Sequence, residues 1–385
     1  MNLVKEFYIK NDPVFPQDYY LREIALQSFN SETYLRHLSF SSFSELKKYI
    51  IDVIPRHLYY SSARYREPAN PIMDEKKWLG SDLVFDIDAN EASECQESDK
   101  YVQMKFCRKC GFYVQQTDAK LCPRCGEELN KFEHVEPECI DIAKEHVAKL
   151  IDILENDLGF TEIITTFSGH RGFHVIVELD EPYSYMSSDE RREIVSYIKV
   201  DDYQLKAFVD QIIKKSKRYV VLPPRVTDGG IRRRIARYLA NHVDEEVREF
   251  IMGFKSVLNF EAAQKVYEYL VQNLNNVIKA ISVYIDTKVT IDITHLIRVP
   301  NSINGKTGWK VVQISNSDVY AFELSPHILS ISDIKLKIRF LTSIPRVTVI
   351  DEEFSFKKGD EASLEYPYAS YFVYKGLASI VNVVR

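Results

Sequence analysis

Four of the six cysteines fall into two tight pairs, Cys107-x2-Cys110 and Cys122-x2-Cys125, with residues 111–121 between them. Four thiolates at this spacing complete a tetrahedral zinc site, which lets a segment with little apolar sequence of its own fold around an ion. Gly111, Pro123 and Gly126 suit the tight knuckle turns. The expectation is a zinc-binding insertion over residues 105–130. Its ion has no open coordination position and is structural. His134 lies nearby but is not needed to complete the ligand count. A large chain with paired cysteines reads as reduced and metal-binding, not as a disulfide framework. Cys95 and Cys139 are left over as small residues with no assigned role.

Around this insertion the chain is long enough, at 385 residues and 45% apolar, for two or three domains with buried cores. No stretch is long and apolar enough to span a bilayer. The opening MNLVKEFYIKNDPVFPQD lacks an apolar signal core, so the protein is expected to stay where it is made. The net charge of −6 decides little, because affinity for phosphate depends on local basic surface.

Hydrophobic periodicity predicts an α+β chain. Ser42 and Glu45 make a capping box ahead of the helical run LKKYIIDVI. His57–Tyr60 and Leu83–Asp88 read as strands, with a turn at Gly80-Ser81. Pro137 to Leu158 reads as an amphipathic helix ended by Gly159. Glu162–Phe167 and Phe173–Leu179 are strand-like. Residues 188–281 read as a helical subdomain, with FEAAQKVYEYLVQNLNNVIKAI as its clearest helix, and strands return at Trp309–Ile314 and Val347–Ile350. The predicted organisation is a discontinuous core of mixed sheets over 1–187 and 282–385, interrupted by the zinc insertion and the helical subdomain.

Three segments carry chemistry. In Leu83-Val-Phe-Asp86-Ile-Asp88 the two carboxylates sit at i and i+2, so on a strand they share a face about 7 Å apart. Such a pair can hold Mg²⁺ or Mn²⁺. The apolar residues before them suit a rigid, buried strand. Ser168-Gly-His170-Arg171-Gly-Phe-His174 joins two strand-like runs. Its glycines permit a turn with backbone N–H groups exposed to an anion, and its side chains add a hydroxyl, a guanidinium and two imidazoles. Further on, Asp286 follows the strand-like Val283-Tyr-Ile285 and is placed to supply a third carboxylate from a different strand, with Asp292 as a rival. Arg298 and Lys306 can neutralise phosphate. A fourth feature is basic: Lys214, Lys215, Lys217, Arg218, Arg225, Arg232, Arg233, Arg234 and Arg237 crowd one stretch, either along a nucleic-acid backbone or on a solvated helix face with partners elsewhere.

The ordered set YYSS…WLGSDLVFDID, SGHRGFH and LIRVPNSINGKTG resembles the signatures of the archaeo-eukaryotic primase superfamily, and within it the small catalytic subunit of archaeal DNA primase. The resemblance covers most of the chain. It implies the primase catalytic-core fold and a DNA-directed nucleotidyltransferase that makes short RNA, or DNA, primers on single-stranded DNA from NTPs or dNTPs. It implies a Mg²⁺ or Mn²⁺ triad of Asp86, Asp88 and Asp286. Ser168, His170, Arg171, His174, Arg298 and Lys306 would bind the nucleotide, as would Arg36 in YLRHLSF. It further implies an iron–sulfur-containing large subunit as partner, an additional small subunit in some members, and a cytoplasmic place at the archaeal nucleoid (nuclear in a eukaryote). His170 stands where eukaryotic members carry arginine. Asn304 stands where many members carry histidine, and it keeps hydrogen bonding without charge. The alternatives are another polymerase of the superfamily, of the end-joining or primase-polymerase kind, and a non-catalytic zinc protein that binds nucleic acid.

Overall fold

A computed structural model describes residues 2–115, 117–200, 205 and 223–384. The chain forms two compact units, Met1–Val147 with Glu162–Ser188 and Asp286–Arg385, and Ala148–Thr161 with Asp189–Ile285. The architecture is α+β. Every ladder between the strands of the described residues is antiparallel, so the mixture is one of sheets and helices, not of strand directions.

Two sheets of the first unit position the site. In one, the order is β11 (Leu296–Arg298), β3 (Pro55–Tyr65), β1 (Arg22–Ser28) and β2 (Leu35–Leu38), with β4 (Trp78–Ser81) also paired to β3. Gly80 and Ser81, expected in a turn, are thus the end of a short strand, and Gly80 adopts φ +107° there. A Cβ at Gly80 would lie 2.8 Å from the Ser184 hydroxyl, so close packing decides the glycine. In the second sheet the order is β12 (Val312–Ile314), β9 (Ile163–Phe167), β10 (Gly172–Val177) and β5 (Leu83–Asp88). Val175–Val177 of β10 and Leu83–Phe85 of β5 are continuous buried apolar runs, as strands covered on both faces require. Val84 and Ile176 join Ile24, Leu26, Leu58 and Tyr60 in one core that also takes Leu46 and Ile50 from the helix Phe43–Val53. Ser42 caps that helix by accepting from the Glu45 amide at 3.3 Å, while the Glu45 carboxylate takes the Ser41 hydroxyl.

A buried ion network locks the strands together. Arg22, fully buried, meets Asp18 at 2.7 Å and Asp82 at 2.8 Å, and Arg64 reaches Asp82 at 2.7 Å. The start of β5 is therefore fixed to β1 and β3 by charges that would be costly to leave unpaired.

The cysteine pairs sit beside a small sheet of β6 (Tyr101–Phe106), β7 (Tyr113–Gln115) and β8 (Asn130–Val135). Cys95 and Cys139 correct the sequence reading: they form a disulfide with Cα atoms 5.6 Å apart. The short helix Ser93–Gln96 after β5 and the first turn of the helix Pro137–Asn156 bring them together, across 44 residues of sequence whose composition carries no sign of the approach. At the C-terminal end, β13 (Lys335–Phe340) pairs with β16 (Glu361–Glu365) and β17 (Ala378–Val384), and β14 (Ile344–Val349) with β15 (Glu352–Phe356). The helix Tyr366–Tyr374 packs between these and the loop after β11, where the Trp309 indole donates to the Pro367 carbonyl at 2.7 Å.

The second unit is helical among its described residues: Ser188–Lys199 runs into it, and Gly230–Leu239, Glu245–Ile251, Phe260–Gln272 and Leu274–Ile281 share a core of Ile235, Leu239, Phe250, Val266 and Val277. The single helix expected over FEAAQ…KAI breaks at Asn273, whose side chain donates to the Tyr269 carbonyl at 2.9 Å and competes with the helix backbone. Of the basic cluster, Lys214, Lys215, Lys217 and Arg218 lie outside the described residues. Arg232 pairs with Asp228 and Arg237 with Asp152, each at 2.8 Å. Arg233 pairs with Asp152 at 2.9 Å and Asp157 at 2.6 Å. Arg225 and Arg234 donate to backbone carbonyls and cover the Phe250 and Tyr197 rings. The described arginines therefore have carboxylate or carbonyl partners within the unit. Asp157, with no exposed side-chain surface, anchors the cluster. Asp157→Ala would leave Arg233 with Asp152 as its one acidic partner among the described residues and should cost about 1–3 kcal/mol in urea unfolding. A loss below about 1 kcal/mol would contradict this role.

Candidate active site

The acidic strand is built as its sequence suggests. Along β5, Val84, Asp86 and Asp88 face one way and stand opposite Ile176, His174 and Gly172 of β10. The glycine is required: a Cβ at 172 would lie 2.1 Å from the Asp88 Oδ1 and 2.8 Å from the Ile87 carbonyl. Asp88 can lean across the neighbouring strand only because residue 172 has no side chain.

Asp286 comes to this pair from far along the chain. Its backbone N–H donates to the Asp86 carbonyl at 2.9 Å. The preceding Val283–Ile285 is not a ladder strand, contrary to expectation. Asp286 is instead the N-cap of the helix Thr287–Ile291, its carboxylate accepting from the Lys288 amide at 2.8 Å. Asp292, the rival, is occupied by the Thr294 amide and hydroxyl, both at 2.8 Å, and lies 3.8 Å from His295, which with these bonds draws its carboxyl down to about 2.

Like charge accumulates at Asp86. Burial first, then Asp88, Glu91 and Asp286, push its carboxyl up to about 8, with Arg298 pulling the other way. Its Oδ1 is buried without a hydrogen-bond partner. An all-oxygen donor set with an unpartnered buried oxygen and a surplus of negative charge fits a hard divalent cation. The fit is looser than at the cysteines, whose ligand atoms lie within 4.8 Å of one another and form the one set of that compactness among the described residues.

The Ser168–His174 turn lies next to the acids and is held from several sides. Ser168 N donates to the Gly172 carbonyl at 2.9 Å, and Gly172 N returns to the Ser168 hydroxyl at 3.3 Å. Gly169 adopts φ +73°, and a Cβ there would meet the Lys310 carbonyl at 3.1 Å. Asn304, nearly fully buried, donates to the Ser168 carbonyl at 2.7 Å and accepts from the Lys306 amide at 2.9 Å, while Thr307 donates to the Gly169 carbonyl at 2.5 Å. Asn304 therefore braces the turn. The charged group of that loop is Lys306, exposed at its tip.

The cationic side chains divide by protonation. Arg171 bridges Glu133 at 2.9 Å and Asp88 at 3.5 Å. His174 stands 3.9 Å from Asp86 and is held down to about 3, by burial and then by Arg298 and His295. His170 is held well below the usual imidazole value by burial, then Lys375, Arg171, Lys306 and Arg298. Both rings are neutral and offer hydrogen bonds, not charge. Arg298, on β11 opposite Tyr59, is 9% exposed and bonds His57 Nδ1 at 2.7 Å and the Tyr59 hydroxyl at 2.9 Å. No carboxylate pairs with it among the described residues. A buried guanidinium partnered by a phenol and an imidazole is prepared for an incoming anion. Arg36 stands apart. It pairs with the buried Glu23 at 2.8 Å, and no described contact joins it to the aspartates or the turn.

Sequence reasoning missed Glu133, His57, Tyr59 and Lys375. Lys375 approaches His170 Nε2 at 3.0 Å and is drawn down to about 7 by burial and then by Arg171 and Lys306. It follows an apolar helix with no motif to mark it.

At the knuckles, the Cys107 and Cys125 sulfurs are 3.4 Å apart, as are those of Cys110 and Cys122. Gly111 and Gly126 adopt φ of +71° and +75°. The set can bind one metal ion. His134 plays no part in it, bonding the Tyr371 hydroxyl at 2.6 Å.

Sequence similarity identifies the family. Residues 128–316 match the family model described as DNA primase small subunit. The DNA primase small subunit PriS of Hyperthermus butylicus is 34% identical over 99% of this chain and 96% of its own length. The chain belongs to the DNA primase small subunit family. Members from Staphylothermus marinus and Sulfurisphaera tokodaii are each 32% identical, over 99% and 100% of this chain and 94% and 96% of theirs. Like them, this primase subunit is a DNA-directed nucleotidyltransferase. Among solved structures, the polymerase domain of Mycobacterium tuberculosis ligase D in complex with DNA aligns over 82% of this chain and 81% of its own, at 10% identity and a TM-score of 0.35, a likeness too weak to carry an argument. No helix among the described residues is long and apolar enough to cross a membrane.

The elevated Asp86 carboxyl carries a signed prediction. Below about pH 4 folded and unfolded chains both hold the proton and the site costs nothing; the cost grows as pH rises and is complete above about pH 8. Without added Mg²⁺ or Mn²⁺, Asp86→Asn should therefore raise the melting temperature at about pH 8.5 and leave it unchanged near pH 4. Equal shifts at both pH values would refute the charge-crowding account.

Proposed function

We propose that this chain makes RNA primers, and DNA primers where dNTPs are offered, on single-stranded DNA by two-metal nucleotidyl transfer. The observation that carries the reading is the Asp286 amide bonded to the Asp86 carbonyl, which brings a third acid to the strand facing the Ser168–His174 turn. Asp86, Asp88 and Asp286 would hold the Mg²⁺ or Mn²⁺ ions. Such ions, when bound, lower the pKa of the attacking 3′-hydroxyl and offset charge on the departing pyrophosphate. Arg298 and Lys306 take the triphosphate with formal charge, and the glycine turn presents backbone N–H groups. His170 and His174, being neutral, orient it through hydrogen bonds. Arg171, held between Asp88 and Glu133, links the acidic and phosphate-binding halves of the site. Arg36 joins the nucleotide site only if its bond to Glu23 is exchanged.

The knuckle ion is zinc in this reading, since four thiolates favour a soft tetrahedral ion. The partner is a large primase subunit with an iron–sulfur domain, in some assemblies with one more small subunit, at the archaeal nucleoid. A non-catalytic zinc protein would need neither the crowded acids nor an unneutralised buried arginine.

Asp86→Ala with Asp88→Ala should lower primer synthesis on single-stranded DNA by on the order of a thousandfold, the rate equivalent of several kcal/mol of lost charge stabilisation. Circular dichroism should stay native. Full activity in that variant would overturn the assignment. The purified chain should carry one zinc by elemental analysis, and Cys110→Ser should release it. A zinc-free chain with native stability would contradict the structural role.

A further inference from the structure

We infer that Lys375 and His170 form a proton relay to the departing pyrophosphate, with His170 meeting the phosphate and Lys375 supplying the proton behind it. The inference rests on the polymerase reading for its reaction. The arrangement of the two side chains is independent of that reading.

Lys375 reaches the phosphate-binding turn from just past the C-terminal end of the helix Tyr366–Tyr374. Its Nζ lies 3.0 Å from His170 Nε2 and donates to the Glu133 carbonyl at 3.0 Å. The Tyr371 and Phe132 rings flank it, with centroids at 4.9 Å and 5.8 Å. An ammonium has donors and no acceptor, so the imidazole Nε2 must accept. That fixes the tautomer: the ring proton of His170 sits on Nδ1. No hydrogen bond to Nδ1 forms among the described residues. A lysine that served stability alone would be spent on a carboxylate. This one is spent on a ring whose other nitrogen is left as an unused donor, on the turn assigned to the triphosphate.

The surroundings make the proton transferable. Arg171 and Lys306 face Lys375 from the turn and from the loop after β11, and Glu133 from β8 is the acid beside it. Tyr371 is held well above the usual phenol range by burial and stays protonated, and burial keeps His134 beyond it neutral. Burial first, then Arg171 and Lys306, draw Lys375 down to about 7, so its ammonium can give up a proton at neutral pH. His170 cannot act as a charged acid by itself, because burial and the same cations suppress its imidazolium. It can pass a proton from Nδ1 only by taking another at Nε2.

The step balances. The bond between the α-phosphorus and the bridging oxygen breaks, and its electron pair goes to the pyrophosphate. His170 Nδ1 gives its proton to a pyrophosphate oxygen while Nε2 takes one from Lys375. The ring stays neutral, the lysine becomes an amine, and the pyrophosphate leaves with one negative charge fewer. After release, water re-protonates Nδ1 and Nε2 returns its proton to the lysine. His170 is thus a catalytic residue, and Lys375 acts through it.

The test measures single-turnover extension of a primed single-stranded template by the full zinc-loaded chain, with saturating NTP and Mg²⁺, across a pH series. Lys375→Met should lower the rate on the order of a hundredfold, with nucleotide affinity nearly unchanged. Lys375→Arg keeps the charge and the donor to Nε2 but does not release its proton. It should still lose at least about tenfold, and the deficit against wild type should shrink as pH rises above about 7, where wild-type Lys375 loses its own proton. A wild-type rate in Lys375→Arg would reduce the lysine to a holder of the ring and overturn the relay. His170→Gln should match Lys375→Met, and the two together should cost no more than either one, since they interrupt one path. Additive losses would contradict a shared path. Melting temperatures guard against misfolding. Nitrogen NMR of the histidine-labelled chain, without nucleotide or metal added at the acids, should show His170 protonated at Nδ1 below about pH 7 and at Nε2 in Lys375→Met. A wild-type ring protonated at Nε2 would overturn the inference whatever the kinetics. Variants as fast as an active wild type would remove the relay and leave the polymerase reading intact, whereas a wild type that transfers no nucleotide would remove that reading and the relay with it.

Discussion

A backbone hydrogen bond 2.9 Å long, from the Asp286 amide to the Asp86 carbonyl, joins segments two hundred residues apart and makes the acidic centre possible. The bond uses the main chain, so it leaves the carboxylates unspent. It also sets Asp88 and Asp286 where they raise the energy of an ionised Asp86. The protein tolerates this because β5 is held elsewhere. Asp82 anchors its start to Arg22 and Arg64, and apolar contacts of Leu83, Phe85 and Ile87 fill its other face. Stability is supplied at one end of a strand and given up at the other, a common arrangement where chemistry needs charges that folding would avoid.

The charge balance has two layers. Arg171, Arg298 and the exposed Lys306 supply formal positive charge to the site. Beneath them, His57, His170 and His174 are neutral because burial and neighbouring cations suppress their protonation. Imidazoles in such a place fix geometry. His57 accepts from Arg298 and thereby directs the guanidinium. Asn304 works in the same manner, spending its amide on the Ser168 carbonyl and the Lys306 amide. An uncharged residue at that position is compatible with the turn because its work is to hold backbone.

Local pattern revealed much of this. The alternation in Leu83–Asp88 fixed a face for both carboxylates, the glycines of residues 168–172 announced a turn, and the cysteine spacing named its own site. What stayed hidden depends on contacts between distant segments. Nothing in the sequence around Cys95 or Cys139 reports the other's approach. The arginines of Gly230–Leu239 look like a nucleic-acid surface until Asp152 and Asp157 are seen to neutralise them. Val283–Ile285 has strand-like composition, yet Asp286 at its end caps a helix, since a carboxylate preceding a helical run satisfies its free amides. Glu133, His57 and Lys375 enter the site from elements without motifs, so only their packing identifies them.

The pairing of Gly172 with Asp88 also guards the sheet against slippage. Strand side chains alternate faces, so a shift of one residue between β5 and β10 would turn both aspartates toward the layer now filled by Phe85 and Ile87. It would also set the Phe173 side chain where Asp88 needs bare backbone. The out-of-step pairing thus sets both carboxylates against the apolar layer and creates a collision, while the correct one keeps them on the face of the site. The residues that equip the strand for catalysis therefore also enforce its alignment, and errors of assembly at the site are penalised before any substrate arrives.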